Sequence, residues 1–227
     1  MRGQGLQTKI SNAVLDTGTV GLYIPWQFGV DYDTIGRGSA QDSFDEQLDV
    51  RDLLRDSKKR GVKTDWIIVS TGIFTSFLFQ PWFGVVTKNS ENAEWTVRPL
   101  GKWDDRVTVT GPDDIGRVSA EIVLAALGGQ EGLRNEVVFI ASDTVSYKKL
   151  ADVVEEVTGG VVKRGDEISL EQAEEELRQD PTNVVKKYRV IWVDGRGVNW
   201  PMEKTYNARK NMSMEGIETW ARRNLNV

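Results

Sequence analysis

Apolar positions along the chain alternate between helical and strand spacing. Ile10, Ala13 and Val14 recur at helical intervals and predict a helix over Gln7–Thr17. Val20–Pro25 reads as a short apolar strand closed by proline. A second helix is predicted over Ser43–Arg60, where Phe44, Leu48, Leu53 and Leu54 lie near one face and Gly61 stops it. Asp65–Ser70 is a continuous apolar run of the kind that a parallel sheet buries on both faces. Thr96–Leu100 and Arg106–Thr110 are short strands around a turn at Gly101–Asp105. A helix follows Pro112 over Asp113–Leu127 and ends at Gly128-Gly129. Val137–Ala141 is another buried strand. Ser146 caps a helix that runs to Thr158, with Leu150, Val153, Val154 and Val157 at helical intervals. Ser169–Gln179 opens as Ser-Leu-Glu-Gln, close to a capping box, and Met214–Asn224 is the last helix.

Strands separated by helices argue for an α/β fold with a mostly parallel sheet and flanking helices. No internal repeat, low-complexity tract or linker interrupts residues 1–227. The pattern therefore reads as one domain, a core over residues 1–142 and a smaller C-terminal subregion over 143–227 that closes over the sheet edge.

Composition narrows the chemistry. The sequence has no histidine and no cysteine. That removes Ser-His-Asp and Cys-His nucleophiles, His/Cys zinc sites and thiol redox chemistry. Acid–base work falls to Lys, Tyr, Asp or Glu. Lack of cysteine fits a reducing, cytoplasmic setting. With a net charge of −5 and both signs dispersed, nucleic acid is not an expected partner. The most apolar window, 66–86, is interrupted by Ser70, Thr71, Thr75, Ser76, Gln80 and Pro81, and Met1–Ile10 is polar, so neither a membrane span nor a secretory signal is expected.

Several constellations have plain readings. Asp42, Asp45, Glu46, Asp49 and Asp52 suit a solvated face at a helix N-terminus better than a metal site. The pairs Gly3-x-Gly5 and Gly36-Arg37-Gly38 lack the strand that must precede a phosphate-binding turn. Tyr206 and Lys210 have Tyr-x-x-x-Lys spacing, but they stand in the C-terminal region and read as an exposed helix.

Three segments carry a family resemblance. They are Pro25-Trp26-Gln27-Phe28-Gly29, the helix Phe44–Arg51, and Ser70–Phe77, supported by Val107-Thr108-Val109, Pro112–Gly116 and Ala141–Tyr147. In this order and spacing the chain resembles the NmrA-like and isoflavone-reductase-like family, an atypical branch of the short-chain dehydrogenases. The resemblance implies a Rossmann-like fold whose glycine-rich, dinucleotide-holding turn precedes this sequence by a βαβ region of roughly 80–100 residues, so the chain is expected to be N-terminally truncated. It implies NADP(H) or NAD(H) as cofactor and a small, aromatic or secondary-metabolite substrate.

It also implies roles for residues. Pro25, Trp26, Gln27, Phe28 and Gly29, with Thr71 and Gly72, fall on the cofactor side. Phe74 is the expected aromatic wall with Phe77 behind it, and Trp200 is a further substrate-facing candidate. Where the family loop has Ser-Glu, this chain has Trp26-Gln27. Where reductase members carry a proton-handling lysine, it has Gln47, whose amide does not titrate. Lys58 and Lys59 stand roughly 16 Å further along a helix and cannot replace it. Tyr32 lies close enough to the expected crevice to donate a hydrogen bond. The same departure supports an alternative, a non-catalytic nucleotide sensor or a regulator that binds a protein partner.

Overall fold

A computed structural model describes residues 5–225, so Gly3 of the Gly3-x-Gly5 pair lies outside the described residues. The chain opens with α1 (Leu6–Thr17), β1 (Leu22–Tyr23), α2 (Tyr32–Ile35) and α3 (Asp42–Lys59). Next come β2 (Asp65–Ser70), β3 (Ile73–Phe74) and a 3-10 turn over Thr75–Phe79. The middle holds β4 (Val86–Lys88), β5 (Trp95–Val97), β6 (Arg106–Thr110) and α4 (Pro112–Leu127). Then follow β7 (Glu136–Phe139), β8 (Asp143–Ser146), α5 (Tyr147–Thr158) and β9 (Val162–Arg164). The chain closes with α6 (Leu170–Gln179), α7 (Val184–Asp194), a second 3-10 turn over Met202–Lys204, α8 (Tyr206–Arg209) and α9 (Ile217–Asn224).

β2 organises the molecule. It pairs in parallel with β1 on one side and β7 on the other, and each connection passes through a helix. Successive side chains of a strand point to opposite faces. Trp66 and Ile68 accordingly pack against Val50 and Leu54 of α3 and Leu15 of α1. Ile67 and Val69 pack against Ile115, Val118 and Ile122 of α4. Both faces of β2 are thus buried, which is why its sequence is apolar throughout. β3 continues beyond β2 and pairs in parallel with β6, which pairs antiparallel with β8. A third sheet has the order β4-β5-β9. The segment after residue 142 is therefore interleaved with the rest, since β8 adds to β6 and β9 to β5.

Several sequence expectations shift. The strand expected over 20–25 shortens to Leu22–Tyr23, because Pro25 offers no amide to a ladder. The strand expected over 96–100 is Trp95–Val97, and that over 137–141 is Glu136–Phe139. The last helix begins at Ile217 instead of Met214, because the Glu215 amide donates to Asp114 and is held out of the helix. Around Tyr206 the expected exposed helix is a single turn whose first two residues are buried, and the Asn207 amide bonds both the N–H and the C=O of Ala141. The acidic run is taken up by internal partners. Arg37 donates to Asp49 and Asp52, the Gly38 amide to Asp45, the Gln7 amide to Glu46 and Lys187 to Asp42. Among the described residues, no helix is long and apolar enough to cross a membrane.

Candidate functional site

In an open parallel sheet, ligands sit beyond the carboxyl ends of the strands. The loop after β1 and the loop after β2 meet there. The Gly29 carbonyl accepts from the amides of both Thr71 (2.8 Å) and Gly72 (3.0 Å). The chain is crowded at both glycines. A Cβ on Gly29 would lie 2.5 Å from the Tyr32 hydroxyl oxygen. One on Gly72, where φ is +71°, would lie 2.2 Å from the Thr108 carbonyl oxygen.

Beside this junction is a cavity of about 410 Å³ whose wall includes Trp26, Gln27, Phe28, Gly29, Tyr32, Gln47, Gly72, Phe74 and Phe77. Its wall holds an unbroken series of aromatic contacts. Tyr32 meets Phe44 edge-on at 4.9 Å between centroids, and Phe44 meets Tyr188 at 6.1 Å. Tyr188 then touches Trp192 at 5.7 Å, and Trp192 touches Phe83 at 6.1 Å. Phe83, Trp82, Phe77 and Phe74 complete the run at spacings of 5.5, 5.5 and 5.3 Å. Edge-to-face contacts at these distances fix the rings relative to one another. Trp26 is 66% exposed at the cavity wall, on the opposite loop from Phe77 and Trp82.

The polar part of the site is a buried tie between the first loop and α3. Arg51 is fully buried, an arrangement that needs compensating partners. Its Nε donates to Gln27 Oε1 at 2.9 Å and its Nη1 to Asp33 at 2.6 Å, while its guanidinium lies 5.1 Å from the Tyr32 ring centre. Gln27 Nε2 in turn donates to the Gln47 carbonyl at 2.9 Å. Hydrogen bonds from Arg55, with Arg51 adding charge and a further hydrogen bond against the cost of burial, hold the Asp33 carboxyl down at about 2. Burial pushes the Tyr32 hydroxyl well above the ordinary tyrosine range, against the pull of Arg51. It raises Tyr188 as well. Among the residues that line the cavity, these two tyrosines are the ionisable side chains.

The sequence candidates divide by position. Trp26, Gln27, Phe28, Gly29, Tyr32, Gln47, Gly72, Phe74 and Phe77 come together on one wall. Pro25 and Thr71 are buried behind it. Thr71 accepts from Thr110 at its carbonyl and donates its hydroxyl to the Gly72 carbonyl. Trp200 stands apart: it is buried, packs edge-on to Phe139 at 4.9 Å and does not line the cavity. Thr108 holds its backbone amide, so it belongs to the core packing around β6 and not to a substrate wall. Tyr206 is likewise packed in the core with Ile122 and Ile140; Lys210 Nζ lies 5.8 Å from its ring centre, and neither residue lines the cavity. Sequence reading missed Tyr188 as a member of the site and took Trp192 only as one of several core or lid tryptophans, because it assigned no helix to 184–194. The signal was Asn183, whose side chain caps the amides of Val185 and Lys186 and sets Tyr188 and Trp192 one turn apart.

A parallel sheet covered by helices on both faces, with a cavity beyond its strand ends, defines a Rossmann-like α/β fold. No family model matches the sequence. Over 216 residues the chain is 44% identical to an NmrA-like family domain-containing oxidoreductase of Gibberella moniliformis, covering 95% of this chain and 66% of that protein. The chain belongs to the NmrA-like family, and it spans just under two thirds of that relative's length. A solved leucoanthocyanidin reductase–NADPH complex from Vitis vinifera shares the fold with a TM-score of 0.73 at 16% identity, over 98% of this chain and 75% of the other. An isoflavone reductase structure gives a TM-score of 0.70 at 15% identity, over 96% of this chain and 70% of the other.

Proposed function

We propose that this chain forms the nicotinamide-side and substrate-side part of an NAD(P)H-dependent oxidoreductase acting on a small aromatic molecule. One observation carries the reading: the continuous aromatic wall of a 410 Å³ cavity at the carboxyl ends of β1 and β2. Cavities of that size, mostly apolar with a few placed polar groups, suit small organic ligands. The Gibberella relative is described as an oxidoreductase and the Vitis reductase is a complex with NADPH, which supports the cofactor.

The residues present fit one end of such a cofactor. The amides of Thr71 and Gly72 and the side chain of Gln27 are already bonded within the protein, so they shape the wall without serving as ligands. Phe28 and Phe74 offer apolar surface for a nicotinamide ring. Among the described residues, no strand runs through a glycine-rich turn into a helix to cradle the phosphates. When bound, the cofactor supplies the hydride. The chain's own residues bind and orient the ring and exclude water through the aromatic wall; among the described residues that line the cavity, none is a carboxylate or lysine that could deliver a proton.

That last point favours a second reading, a non-catalytic member that binds nucleotide or a protein partner, with Gln47 standing where reductases have lysine. Tryptophan fluorescence and thermal melting with and without NADPH test the cofactor. At 100 times the dissociation constant, binding stabilises by about 2.7 kcal/mol, which moves the melt visibly. A folded protein with no saturable response overturns the oxidoreductase reading for this chain. Saturable binding without NADPH consumption across aromatic ketones and quinones leaves the non-catalytic reading.

A further inference from the structure

The loop after β1 fixes its backbone and leaves one large side chain outside. Pro25 and Gln27, on either side of Trp26, are both buried. The backbone amide of Gln27 donates to the Pro25 carbonyl at 2.8 Å, and the Gln27 side chain is tied at both ends, to Arg51 and to the Gln47 carbonyl. Trp26 between them is exposed and lines the cavity. Its indole is thus an accessible apolar surface on a stretch of chain that is already held. Trp82 and Phe77, exposed on the other loop of the same cavity, meet edge-on at 5.5 Å and belong to the run of ring contacts. Trp26 is not a member of that run. Among the described residues that line the cavity, no side chain is an acid or a base other than tyrosine, so ring faces and not ion pairs are what the mouth offers a ligand. A flat ring laid on an exposed indole removes both faces from water and gains an offset-stacked contact, which a puckered ring of the same size does not make.

We propose that Trp26 is a specificity-determining residue at the mouth of the cavity. Its indole stacks on the outer ring of a two-ring ligand whose inner ring lies within the aromatic wall, and so selects a flat outer ring over a saturated one. The inference rests on the reading of the cavity as a site for aromatic ligands.

Calorimetry of the intact chain with 4-phenylphenol and 4-cyclohexylphenol tests it, since the two probes share the inner ring and differ in the flatness of the outer one. The natural chain is expected to prefer 4-phenylphenol by about fivefold, the size of one ring-stacking contact. Trp26→Ser is expected to abolish the preference, and Trp26→Phe, which keeps a flat ring, to retain it. The residue is exposed, so neither variant disturbs the core. A natural chain without the preference, or the same preference in Trp26→Ser, overturns the inference and leaves the aromatic site standing. Titration with NADP+ separates the cofactor: a loss of NADP+ affinity in Trp26→Ser that exceeds the loss for 4-phenylphenol assigns the indole to the cofactor and overturns the inference as well. Failure of both phenols to bind the natural chain overturns the aromatic-ligand reading and this inference with it.

Discussion

Gly29 and Gly72 join the two walls of the cavity, and their constraints differ in kind. At Gly72 the backbone is left-handed and a methyl group would press on the Thr108 main chain at 2.2 Å. Neither problem has a soft escape, so Gly72→Ala is expected to cost roughly 3 kcal/mol or more. At Gly29 the obstacle is the far end of the Tyr32 side chain, which can move. Gly29→Ala is therefore expected to cost only about 1–2 kcal/mol while weakening ligand binding, because Tyr32 must swing within the aromatic wall. Urea melts of both variants check the order, and an equal or reversed ranking contradicts it. The family motif placed both glycines at the site, but their reasons were not legible: the contacts come from residues 3 and 36 positions away. Gln27 has the same character. Its place on the loop could be read from sequence, whereas its bond with Arg51 depends on how α3 docks.

The segment carrying α2 and α3 is tied at Asp33. Its carboxyl accepts two hydrogen bonds from Arg55 and one from the buried Arg51. A pKa lowered to about 2 in the folded chain, against an ordinary value of about 4, means the unfolded chain takes up its proton first as pH falls. The stabilisation is fully present above about pH 4 and is lost as pH drops toward 2. Asp33→Asn is expected to lower the melting temperature at pH 6 and to flatten its fall between pH 4 and 2. A variant that parallels the natural chain across that window contradicts the assignment. Elements with local signals were readable, as the ends of β2, β6 and the Ser146-capped α5 show. Short strands such as β4 and β9 were not, because three residues carry no period and their partners are distant. α7 was missed for another reason: Val184-Val185 and Val190-Ile191 are β-branched pairs, poor helix formers individually, and burial of Val190, Ile191 and Trp192 overrides that propensity.

For the whole molecule, the question is whether the sheet core and the segment after residue 142 are separable. Trp66 and Ile68 serve one apolar cluster and Ile67 and Val69 another, so β2 couples the layers on its two faces. The largest cluster takes Ile73, Val107 and Val109 from the first part of the chain and Val145, Leu150, Val153 and Trp192 from the second. β8 is registered on β6 from Arg106 to Val109, and Thr144 bonds Thr108 at 2.8 Å. A cut after residue 142 would leave the apolar side of β6, Phe44 and Phe83 without their cover, an exposed surface that favours association over folding. Unfolding of the chain is thus expected to be a single transition, with tryptophan fluorescence and far-ultraviolet circular dichroism giving coincident curves in urea. A fragment ending at residue 142 is expected to aggregate or to show no cooperative melt. Two separated transitions in the whole chain, or a sharply melting monomer from the fragment, would instead make the cavity a cleft between independent units, and Tyr188 and Trp192 would have to be treated as a movable wall.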